Sequence, residues 1–112
     1  MIDNIPEAGD IIRLSIGPGK GTEQDGYRPF LVLTDKDFNE LTGRVIGLPI
    51  TSTIRDWETE IPITSLPRPG VALSDQITTL DYKQRPFVFK DERATDEQMA
   101  AAKFAVKSIL DL

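Results

Sequence analysis

The chain contains no cysteine and no histidine. Without cysteine there is neither a disulfide framework nor a thiolate metal site. Without histidine it lacks the side chain best poised for proton transfer near neutral pH, so that work would fall to other groups. Positive charge is also in the minority: 13 basic against 18 acidic residues give a formal charge of -5. That field opposes general affinity for a polyanion, because nucleic-acid binding draws on phosphate neutralisation. A nucleic-acid ligand would therefore require a local basic groove. The opening residues, MIDNIPEAGD, show neither the basic nor the apolar region of a signal peptide. A soluble cytoplasmic chain with no membrane partner is expected. No repeat, low-complexity tract or internal linker is visible in the 112 residues, which are read as one domain over 1–112.

What is present is mostly strand-like. Ile12, Leu14 and Ile16 alternate with Arg13 and Ser15, giving a half-buried strand that stops at GPGKG. Residues 30–33 are continuously apolar and suit a central strand, which Pro29 can only begin because it has no N–H for the middle of a ladder. Residues 35–43 read as a polar connection with one helical turn, and strand character resumes over 44–50. In WETEIPIT, Trp57, Thr59, Ile61 and Ile63 are placed on one face, while Pro62 argues for an edge strand. Short strands follow at 70–73, 76–80 and 87–89. At the end, Thr95 and Gln98 have capping-box spacing and Asp96 and Glu97 complement the helix dipole; Met99, Ala102, Val106, Ile109 and Leu110 form an apolar stripe. The pattern predicts a mainly β chain with a C-terminal helix, folded as a small curved barrel.

Residues 21–34, GTEQDGYRPFLVLT, place a carboxylate, an amide and a guanidinium in a glycine-bounded loop that runs into the apolar strand. Polar groups on a loop held by a packed strand suggest binding or catalysis. This stretch resembles the N-terminal motif of the MazF/PemK toxins, metal-independent endoribonucleases of bacterial toxin–antitoxin pairs. PEAGDIIRLSI, FNELTGRVIGLPITS and GVALSDQITTLD fall in the family's order and at its spacing, and with the terminal helix the resemblance spans most of the chain. It implies an SH3-like barrel working as a homodimer. Thr22 fits the chromosomal MazF-like branch, in which serine or threonine precedes the glutamate. PemK-type members have a histidine there, and an arginine where this chain has Leu73.

Cleaving RNA without a metal or other cofactor requires attack by the neighbouring 2'-hydroxyl, positive charge on the phosphoryl oxygens and a proton source for the leaving 5'-oxygen. Glu23 and Arg28 supply a carboxylate and a planar guanidinium fork matched to phosphate. The resemblance makes Arg28 the principal catalytic residue and Thr51 the second. Glu23 is the third candidate, and abstracting a proton, positioning the arginine or positioning the 2'-hydroxyl all remain open roles for it. Alone, Thr51 would read as a turn residue satisfying backbone. Gln24 braces the loop or reads a base edge; Thr22 and Ser52 add hydroxyls beside the site. Lys20 and Arg55 are the first candidates for phosphate, and Tyr27 and Trp57 for stacking on unpaired bases. Asp75 and Gln76 match the family's Asp-Gln, although Asp75 also suits a turn.

The resemblance also implies partners: a single-stranded RNA substrate and a MazE/PemI-like antitoxin with an acidic, poorly folded tail that orders on binding. DNA would be contacted only through the antitoxin complex. Two other readings compete. One is a gyrase poison of the CcdB type, disfavoured because AVKSILDL lacks the tryptophan and glycine such proteins present at this end; the other is an inactive barrel dimer that only binds its partner. Phe104 breaks the helix pattern by projecting opposite the apolar stripe, and is assigned to a subunit or antitoxin contact.

Overall fold

The computed structural model describes residues 5–15 and 27–112. Seven antiparallel strands are joined in one sheet: β1 (Asp10–Ser15), β2 (Tyr27–Val32), β3 (Arg44–Thr51), β4 (Glu60–Ile63), β5 (Gly70–Leu73), β6 (Thr78–Asp81) and β7 (Phe87–Arg93). The path runs β4-β5-β3-β2-β1-β7, with β6 also paired to β3. The expected mainly β fold with a C-terminal helix is thus present. Among the described residues the path is open rather than a hydrogen-bonded ring, ending at β4 and β7. Pro62 does lie on an end strand, where a missing N–H is tolerated.

Strand alternation sends side chains to two separate apolar clusters. Leu31 joins Ile11, Leu48, Ile50, Ile61 and Ile63 under helix α2 (Asp96–Leu110), whose Ala102, Met99, Ala105 and Val106 pack there. Its neighbours Phe30 and Val32 join Ile12, Leu14, Val45 and Tyr82. Residues 30–32 are buried on both sides, as a central strand should be. Each such side chain contributes about 1.5–3 kcal/mol when fully buried, so two clusters fix the register of β2 firmly. β1 is less one-sided than its alternation suggests, because both of its faces are covered: Ile11 enters the first cluster, Ile12 and Leu14 the second.

Several local expectations need correction. Pro29 is the third residue of β2, not its first; it lies where β2 is paired to β1 and the β3 ladder has not yet begun, so no β3 bond is lost. Residues 35–43 hold a seven-residue helix, α1 (Lys36–Thr42), capped by the Asp35 side chain and ended by Gly43 at φ 72. Gln76 belongs to a 3-10 turn (Ser74–Gln76) before β6 rather than to a strand. β4 starts only at Glu60, so Trp57 is off the buried face and 57% exposed. The capping box of Thr95 and Gln98 is formed. Ile109 and Leu110, however, stay largely exposed, since the apolar surface meeting α2 stops at Val106.

One buried amide ties these parts together. Asn39 is fully buried and donates to the carbonyls of Pro6 and Thr34 at 2.8 and 2.9 Å. Its side-chain oxygen accepts from the Thr34 hydroxyl at 2.6 Å, and its backbone carbonyl from the Tyr82 hydroxyl at 2.8 Å. The segments around Pro6, Thr34 and Tyr82 are thereby held to α1.

Candidate functional site

Register explains why Arg28 and Thr51 meet. β2 and β3 pair through Val32↔Gly47, Leu31↔Leu48 and Phe30↔Pro49. Continued by two residues, that register sets Arg28 opposite Thr51, on the face shared by Phe30 and Pro49. The ladder stops before reaching them. From there β2 stays on β1, with Leu14↔Arg28, while β3 pairs with β5 through Ile50↔Ala72 and Thr51↔Val71. The divergence of the two strands opens a pocket of ≈ 340 Å³, within the usual range of about 300–1,000 Å³ for a ligand cleft.

Its floor is apolar, formed by Leu14, Phe30, Ile50 and Leu73 with Pro29 and Pro49, and its polar lining is Arg28, Thr51, Thr53, Arg55 and Gln76. No carboxylate is among these residues. In a chain of charge -5, the described lining brings two guanidinium groups, those of Arg28 and Arg55, to one cleft. A small basic cleft inside an unfavourable overall field is the kind of local groove that a nucleic-acid ligand would require.

Thr51 ends β3, and its Oγ1 accepts the backbone N–H of Thr53 at 3.2 Å. The turn role foreseen for an isolated threonine is therefore real. It does not exhaust the side chain, because a hydroxyl that accepts here still has its own hydrogen to donate. Gln76 reaches the pocket because the segment 70–81 runs along β3 as β5 and then β6, and the 3-10 turn interrupts it beside the cleft. Ser74 anchors that turn, its N–H and hydroxyl both donating to the Thr59 carbonyl at 3.0 and 2.6 Å. Asp75 is exposed within the same turn and does not line the pocket.

Of the other residues named from the sequence, Ser52 is exposed beside the cleft, and Tyr27 is half-buried at the start of β2 opposite Ser15; neither is part of the lining. Lys20, Thr22, Glu23 and Gln24 lie outside the described residues. Phe104 is 71% exposed. Trp57 is close to the site through Arg55, whose guanidinium carbon sits 5.3 Å from the indole centroid in a cation–π arrangement. Sequence reading passed over Glu60, a buried carboxylate at the foot of the loop carrying Thr53 and Arg55. Its only sequence signal is an acidic residue at the start of an apolar edge strand.

The sequence model of PemK-like, MazF-like toxins of type II toxin–antitoxin systems matches residues 7–110. The chain is 34% identical over 103 residues to the Endoribonuclease toxin MazF of Escherichia coli (strain K12), a match covering 91% of this chain and 93% of that protein. The fold is similar to crystalline MazF (Form-I) from Deinococcus radiodurans, with a TM-score of 0.85, 31% identity and coverage of 98% of this chain and 100% of the other. It is also similar to the MazE-MazF crystal structure (Form-II) from the same organism, with a TM-score of 0.84, 28% identity and coverage of 98% and 99%.

Proposed function

This chain belongs to the PemK-like, MazF-like toxin family of type II toxin–antitoxin systems, and from that membership we propose that it is the endoribonuclease toxin of such a pair, cutting single-stranded RNA in the cleft between β2 and β3. The observation that carries the assignment is the union of Arg28, Thr51, Arg55 and Gln76 around one pocket in an acidic chain. The guanidinium of Arg28 grips the phosphoryl oxygens and stabilises the negative charge that grows on them. The Thr51 hydroxyl donates to one of those oxygens. Arg55 holds a neighbouring phosphate, and Gln76 meets a base edge or sugar at the rim.

In the reaction, the 2'-oxygen forms a bond to phosphorus as it loses its proton, and the bond from phosphorus to the 5'-oxygen breaks as that oxygen gains one. The immediate products are a cyclic phosphate and a 5'-hydroxyl end. Glu23 is the carboxylate proposed for the first proton or for orienting Arg28. The antitoxin is a MazE-like protein whose acidic tail competes for the same cleft, and the working form is a homodimer of the single toxin domain.

The test is incubation of the purified protein with long single-stranded RNA in a chelator. Discrete fragments with 5'-hydroxyl ends, labelled by a kinase without prior phosphatase, are expected. Arg28→Ala should lose about a hundredfold to a thousandfold in rate, the usual cost of removing a donor from a developing oxyanion, with an unchanged circular dichroism spectrum. Full activity in Arg28→Ala would reject the site, and no cleavage by the wild type would leave only a binding role.

A further inference from the structure

The loop of residues 52–59 carries Thr53 and Arg55 to the pocket and, among the described residues, is paired to no strand. Ser74 ties its end at the Thr59 carbonyl, and Glu60 holds its middle. This side chain belongs to a residue only 7% exposed, yet it is acidic and begins an edge strand. Its Oε1 accepts the backbone N–H of Arg55 at 3.0 Å and that of Asp56 at 3.0 Å, and Oε2 lies 3.3 Å from the same Arg55 nitrogen. Asp56 has φ 62, in the left-handed region. Two successive N–H groups turned inward around such a residue form a concave anion nest. The anion that fills it belongs to the protein.

We infer that Glu60 is a positioning residue for RNA binding, acting through Arg55. The inference rests on the cleft being the RNA site. Glu60 fixes the Arg55 backbone from below, while the Trp57 ring lies 5.3 Å from its guanidinium, so the long side chain is constrained at both ends. Holding an arginine in place before the ligand arrives removes ordering entropy from the binding step. A buried carboxylate beside a phosphate cleft would otherwise repel the substrate. Engaged by two N–H donors beneath the loop, and absent from the pocket lining, it acts on the loop rather than on the RNA. The rotation at Asp56 lets both donors converge.

Amide hydrogen exchange, RNA kinetics and binding of a 2'-O-methyl oligonucleotide, which has no attacking hydroxyl, test this together. In Glu60→Ala the Arg55 and Asp56 amides should exchange at least about tenfold faster, and KM should rise about tenfold with kcat nearly unchanged, as fits loss of charge-assisted hydrogen bonds at a binding element. Glu60→Gln keeps a carbonyl oxygen able to accept both N–H groups and should stay within about threefold of wild type. Glu60→Leu preserves apolar bulk without an acceptor; it should match Glu60→Ala and serves if the alanine variant does not fold. In an Arg55→Ala background, removing Glu60 should add little to the binding loss. Unchanged amide exchange in Glu60→Leu, or a full additional loss in the Arg55→Ala background, would overturn the inference. Full cleavage by Arg28→Ala would instead reject the cleft as the reaction site; the two failures are distinguishable because amide exchange requires no RNA.

Discussion

At the scale of single residues, Thr51 shows how a structural and a chemical role coexist in one side chain. Its oxygen accepts the Thr53 N–H at 3.2 Å, which orients the hydroxyl, and the remaining hydrogen is available to a phosphoryl oxygen. The two roles separate by substitution. Thr51→Ser keeps both and should cleave RNA within a few fold of wild type. Thr51→Val has nearly the same shape but neither acceptor nor donor, and should lower kcat by about tenfold to a hundredfold, less than the loss of Arg28, because a neutral donor stabilises charge less than an ionised one. Thr53 lines the same pocket and can partly substitute, so Thr51→Val/Thr53→Val should fall further in single-turnover assays. Equal rates for the valine and serine variants would leave Thr51 as a turn residue alone. Arg28 and Thr51 were named from the sequence through the family resemblance; alone, Thr51 reads as a turn residue. Glu60 and Asn39 were not, since an isolated acid or amide reads as solvated surface until folding brings partners onto it, the Arg55 and Asp56 amides for Glu60 and the distant Pro6 and Tyr82 for Asn39.

At the scale of elements, the cleft depends on how closely β2 and β3 approach before they part. Gly47 sets that approach: a Cβ built there would lie 2.0 Å from the Leu31 carbonyl oxygen and 2.7 Å from the Phe30 ring. Gly47→Ala must therefore push the strands apart at the Val32↔Gly47 pair. It should cost about 3 kcal/mol, at the upper end of overpacking penalties, read as a lower urea midpoint. RNA cleavage by the folded fraction should also fall, because the same displacement carries Arg28 away from Thr51. Normal stability in Gly47→Ala would mean that the ladder yields there without cost. The strands themselves followed from local pattern, as did the Thr95 capping box. Their register did not. The pairing Phe30↔Pro49, from which the meeting of Arg28 and Thr51 follows, is chosen by two apolar clusters assembled from the whole chain. The 3-10 turn carrying Gln76 was legible only in part: Asp75 suited a turn, but the Ser74 contacts to the Thr59 carbonyl that anchor it, and so take Gln76 out of the strand, are not local.

For the whole molecule, the decisive feature is apolar surface that the sheet leaves uncovered. The stripe of α2 is used only as far as Val106; beyond it Ile109 is 45% exposed, Leu110 50% and Leu112 79%, while Phe104 on another face is 71% exposed. A single exposed phenylalanine is ordinary. Four large apolar side chains on the last two turns of one helix and just past its end, in a chain of 112 residues, are more than the monomer's own packing explains. A symmetric pair of chains would cover the same patch twice, and the formal charge of -5 on each keeps such pairs soluble without a further apolar interface. We expect a dimer at micromolar concentration by analytical ultracentrifugation. Phe104→Glu should either shift the equilibrium to monomer or weaken antitoxin binding, because a carboxylate put into either interface would be desolvated without a partner. A monomeric wild type would remove the dimer, and an unaltered dimer that binds antitoxin normally would remove Phe104 from both contacts. The substitution lies on a solvent face of α2, so thermal unfolding of the monomeric unit should change little, which separates lost association from lost folding.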